Sequence, residues 1–131
     1  MSENAPSKPM LWTGRVLSAA PVLMMLMSAV MKFMRTPQVI EGFVGKFGYP
    51  ESTLLAIGVV EMICVLLYAV PQTAVLGAVL MTGYLGGAVA THVRVGDAFI
   101  APAILGAVAW AGLYLRDPRL RALLPLRRPN G

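Results

Sequence analysis

TAVLGAVLMTGYLGGAVATHVRVGD, residues 73–97, decides how the rest of the chain is read. No charged side chain interrupts it from Thr73 to Thr91, and His92 and Arg94 then bring it to a polar exit. About 20 apolar residues wound as a helix cross the ~30 Å hydrocarbon layer of a bilayer. The stretch therefore predicts a membrane helix from about Thr73 to His92. Three more windows read the same way: about Gly14 to Phe33, about Ser52 to Val70 and about Ala98 to Leu115. Alternating runs bounded by turn pairs are weak, which argues against a β-barrel. The expected fold is all-α, an integral membrane four-helix bundle, with residues 1–131 forming a single domain with polar termini.

Composition points the same way. Of 131 residues, 57% are hydrophobic and 13% charged, against about 25% charge in a soluble domain. The charges crowd between and after the apolar windows. The longest connection, residues 36–49, places Val39, Ile40, Phe43, Val44 and Phe47 at helical spacing, with Glu41 and Lys46 between them. It predicts a short amphipathic helix lying at the interface. Pro71 and Gln72 mark a tight turn, and Asp117-Pro118 closes the fourth window.

Orientation follows from the basic residues. With four spans, Lys8, Arg15, Arg116, Arg119, Arg121, Arg127 and Arg128 share one side. Lys32, Arg35, Lys46 and Arg94 occupy the other. The positive-inside bias predicts cytoplasmic termini in a bacterial cytoplasmic (inner) membrane. The net charge of +5 then reads as a topology signal and a headgroup contact, not as a nucleic-acid footprint. The first window lacks the build of a cleaved signal peptide and is expected to stay in the mature chain. The single cysteine, Cys64, rules out an internal disulfide framework and a CxxC redox pair, and is expected to be a buried, inert thiol.

Ionisable residues inside apolar windows are expensive and mark candidate sites. Glu61 stands in the middle of IGVVEMICVLLY, residues 57–68, with Tyr68 projecting from nearly the same face. Its two readings are a carboxyl that glues neighbouring helices and a proton carrier or ligand contact in a cavity. Tyr84 falls at a similar depth in the antiparallel third span, within hydrogen-bonding reach of Glu61. Lys32, His92 and Arg94 reach the same membrane face and would ring a cavity mouth with Glu61 at its floor. For Lys32 and Arg94 taken singly, snorkelling toward headgroups is the favoured reading. Glu61, Tyr84 and His92 are thus catalytic candidates, and Lys32, Arg94 and Tyr68 ligand-binding candidates. Gly83, Gly86 and Gly87 are expected to let another helix approach closely. No metal is expected, because one histidine and one cysteine do not make a usual zinc site. A haem on His92 would need a second ligand such as Met81 or one from a partner chain, and is disfavoured. No P-loop or dinucleotide fingerprint is present.

Four segments carry a family resemblance: GRVLSAAPVLMMLMSAVMKF (14–33), GYPES (48–52) with Glu61 in the helix that follows, MTGYLGGAVATHVRVGD (81–97) and LYLRDPRLRALLP (113–125). Over about Gly14 to Leu124 the chain resembles the DoxX-like membrane proteins, small four-helix bacterial proteins. The resemblance implies the fold and the membrane location. Through the subunit behind the family name it also implies a link to quinone reduction; it transfers no catalytic residue set. Two classes of function follow. The first binds an apolar small molecule with a polar head, quinone- or isoprenoid-like, with redox or isomerisation chemistry as the natural extension and a redox protein as a partner. The second is a non-catalytic adaptor or assembly factor that presents its glycine face to a partner protein or to a second copy in a homo-oligomer. A cavity reaching Glu61 favours the first, and a solid core with an exposed Gly83/Gly87 face favours the second.

Overall fold

The computed structural model describes residues 5–127, so Arg128 lies outside the described residues. The chain order is α1 (Lys8–Met34), α2 (Pro37–Val39), α3 (Leu54–Ala69), α4 (Ala74–Arg94), α5 (Ile100–Arg116) and α6 (Pro118–Leu123). Three helical stretches are long and apolar enough to cross a membrane: Lys8–Met34, Glu51–Ala69 and Pro71–Arg94. Ile100–Arg116 is apolar but shorter, at 17 residues, or about 25 Å at 1.5 Å per residue.

Local chemistry sets the helix ends. Ser7 caps α1 by accepting from the Met10 N–H at 3.3 Å, and Pro9 sits in the first turn, where its missing N–H is harmless. Helix α1 thus starts at Lys8, one turn and a half before the apolar window. Arg35 ends it in the left-handed conformation at φ 51°. Asp117 caps α6 by accepting from the Arg119 N–H at 3.0 Å. Its carboxyl is held below the usual aspartate range, first by the hydrogen-bonded Arg119 side chain. The connection at residues 36–49 is helical, but not as the regular amphipathic α-helix that its periodicity predicts. After α2 it widens into a π-type coil over Ile40–Lys46, and the Phe47 N–H reaches back five residues to Gly42 O, at 2.9 Å.

Helix α1 packs against α3 and α5, and α4 packs against the same two. The close approaches occur where a side chain could not fit. A Cβ on Gly77 would lie 2.2 Å from Tyr68 N, and one on Gly112 would lie 2.5 Å from Ser18 Oγ and 2.9 Å from Gly14 O. Gly83, Gly86 and Gly87 were expected to do this work and do not: a Cβ on any of them meets nothing within 4 Å. At these three positions α4 borders open space rather than a neighbouring backbone. Tyr68, Val65, Met81, Cys64 and Leu113 form the centre of the buried core. Large apolar side chains, among them Trp12, Leu23, Met27, Leu55, Leu66 and Val79, point outward. Such a belt suits lipid, not water.

Candidate functional site

Glu61 is 1% exposed and Lys32 8%. The Lys32 ammonium lies 2.7 Å from Glu61 Oε2. It also donates to Ser28 Oγ at 2.8 Å, one helical turn back on α1. The Ser28 hydroxyl in turn donates to Glu61 Oε2 at 3.3 Å, and the Tyr84 hydroxyl donates to the same oxygen at 2.6 Å. Lys32 therefore does not snorkel. A buried carboxylate about two turns into α3 offers its ammonium a nearer counter-charge than the headgroups do. Taking both charges out of water is costly, and the surrounding hydroxyls offset part of that cost.

This cluster is one wall of a cavity of about 580 Å³. From the connection at 36–49 come Phe43, Phe47 and Tyr49; from α4, Gly83, Gly87 and Thr91; and from α5, Pro102 and Leu105. The two glycines share the cavity with Tyr84, instead of forming a separate packing face. Among the residues singled out from the sequence, Lys32, Glu61, Tyr84 and His92 line the space.

His92 stands at the rim. Its Nδ1 is 2.6 Å from the Ala88 carbonyl oxygen, so Nδ1 carries the hydrogen, and the ring packs edge-on against Phe47 with centroids 4.8 Å apart. Its Nε2 is 3.9 Å from Asp97 Oδ2, which Lys46 approaches to 3.1 Å. The Lys46 hydrogen bond, followed by the Ala98 backbone N–H, holds the Asp97 carboxyl below the usual aspartate range.

Two expectations are corrected. Tyr68 does not line the cavity. It is buried in the core, and its hydroxyl lies 2.6 Å from the Ala109 carbonyl oxygen and 3.1 Å from Ser18 Oγ. Seven residues keep it on the Glu61 face but move it about 10 Å along the helix axis. Arg94 is not a wall residue either. It donates to the Phe47 carbonyl, and its guanidinium lies 6.0 Å from the Tyr49 ring centroid, so it fastens the connecting segment to α4. Met81 is buried in the core, away from His92.

Sequence reasoning did not assign Ser28, Thr91 or the aromatic residues of the connection to the site. Ser28 carried a signal, since it lies four residues before Lys32 and so on the same face. Tyr49 carried none, because only the folded connection brings its hydroxyl to 2.7 Å from Thr91 Oγ1. Among the described residues, no three His, Cys, Asp or Glu side chains stand close enough together to hold a metal ion.

The profile of the DoxX-like family matches residues 16–112. No curated protein and no solved structure matches the chain significantly.

Proposed function

The chain belongs to the DoxX-like family and is a membrane protein, and on that premise we propose that it binds an apolar small molecule with a polar head, quinone- or isoprenoid-like. The observation that carries this reading is the cavity of about 580 Å³ that reaches the buried Glu61. Small-molecule sites commonly enclose about 300–1,000 Å³, with mostly apolar walls and a few convergent polar groups. In this reading α1, α3, α4 and α5 form one four-helix membrane domain in the bacterial inner membrane, with cytoplasmic termini. Glu61 and Tyr84 meet the head group, Lys32 and Ser28 position Glu61, and His92 guards the rim. A carboxyl, a phenol and a histidine around one space are also equipment for moving a proton to or from a bound head. The adaptor alternative needs the Gly83/Gly87 face free for a partner helix. Both glycines are exposed, but they border a cavity that reaches Glu61, where the adaptor reading also needs a solid core, and this favours the binding reading.

The test is purification in mild detergent with mass spectrometry of co-purifying lipids, repeated with Glu61→Gln and His92→Ala. The expected outcome is a defined apolar ligand that is depleted in the Glu61→Gln preparation. Absence of any such ligand, or its full retention by both variants, removes the basis for the cavity as a binding site.

A further inference from the structure

We propose that the cavity selects a neutral head group that donates hydrogen bonds, a hydroxyl, over one that only accepts them, such as a ketone, ether or oxidised quinone. The inference rests on the binding reading above and names the chemistry of the ligand.

It follows from counting hydrogens around the cavity. The Tyr84 hydrogen goes to Glu61 Oε2, and so does that of Ser28. Thr91 donates to the Gly87 carbonyl at 2.9 Å. With its single hydrogen committed there, Thr91 Oγ1 accepts from Tyr49, 2.7 Å away. His92 Nδ1 donates to Ala88 O. Lys32 directs two donors at Ser28 and Glu61, and its ammonium stands 5.8 Å from the centroid of the Phe43 ring, within cation–π range. Every hydroxyl hydrogen named here is therefore committed inside the protein.

Of the side-chain hydrogens counted, the third on Lys32 alone has no oxygen partner, and its ammonium stands over the Phe43 ring; the rest of what these side chains offer is acceptor capacity. All three donors to Glu61 converge on Oε2, and among the described residues none reaches Oε1. The Tyr84 and Tyr49 oxygens keep lone pairs, and in the neutral ring His92 Nε2 is an unprotonated acceptor. A hydroxyl head can donate to these groups, whereas an acceptor-only head would lose its water partners and find few donors in exchange. Charge decides between a hydroxyl and an ammonium donor. Lys32 already neutralises Glu61, so the wall carries no net charge and a cationic head gains no counter-ion.

The experiment uses the full chain in detergent micelles and two matched pairs of probes, farnesol with farnesyl methyl ether and 1-dodecanol with its methyl ether. Binding is titrated by native mass spectrometry. Each alcohol should bind about tenfold more tightly than its ether, the scale of one hydrogen bond to a charged acceptor. Glu61→Gln, whose amide both donates and accepts, should narrow that ratio. Ala88→Phe, which puts a bulky ring on the cavity wall and leaves both members of the ion pair in the chain, should weaken both members of each pair. Equal binding of alcohol and ether, or preference for the ether, overturns the donor-head inference while the cavity stands as a binding site. Binding of neither member of either pair overturns both readings, and undiminished binding by Ala88→Phe places the alcohol elsewhere and overturns the inference.

Discussion

Glu61 holds three donors on one oxygen with its side chain out of water, and Lys32 is bound to it more closely than to anything at the membrane face. Removing one member of such a pair strands the other. Lys32→Met should therefore lower stability by about 3–5 kcal/mol, and adding Glu61→Gln to it should recover a large part of the loss. Thermal unfolding of the wild type, both single variants and the double variant in the same detergent checks this; a double variant as unstable as the sum of the two singles would mean that the pair is not coupled. The anomaly of each residue was legible in the chain, because a charge within an apolar window stands out by itself. Their partnership was not, since it depends on the lateral distance between α1 and α3. Tyr68 shows the same limit from the other side. Helical spacing identifies its face, but whether that face meets a cavity or a core changes with depth.

At the scale of elements, the glycines divide into two kinds that look alike in sequence. Gly77 and Gly112 sit where another backbone or a short side chain leaves no room, while Gly83 and Gly87 border open space. Gly77→Ala should be destabilising by about 1–3 kcal/mol, because the added methyl collides with backbone that cannot move aside. Gly83→Ala should be neutral or stabilising by up to about 1 kcal/mol, since alanine is the better helix former and meets nothing there. Paired melting curves of the two variants test the assignment, and equal destabilisation would mean that α4 packs along its glycine face after all. The connection at 36–49 also shows how far periodicity reaches. Apolar spacing predicted a helix, but not its π-type widening, nor the tethering of its aromatic residues by Arg94 and Thr91, which are contacts with α4.

For the whole molecule, the tight contacts of Gly14, Ser18, Tyr68, Gly77 and Gly112 lie toward the end that holds the α3–α4 turn. The cavity lies toward the opposite end, where α1 and α4 finish and α5 begins. The proposed orientation places the closed end at the cytoplasm, with Lys8, Arg15, Arg116, Arg119, Arg121 and Arg127. A reporter fused to the C-terminus should be active in the cytoplasm; an external signal would invert the molecule and put the cavity mouth on the cytoplasmic side. Helices, their approximate limits, the apolar exterior and the misfit of Glu61 were determined by the sequence alone, because length, hydropathy and lone charges act locally or against the solvent. The tertiary structure alone decided that Lys32 turns inward, that Gly83 and Gly87 line a space instead of filling one, and which hydrogens that space has left to offer. Each of these depends on how far apart helices distant in sequence come to rest, and no local pattern encodes that distance.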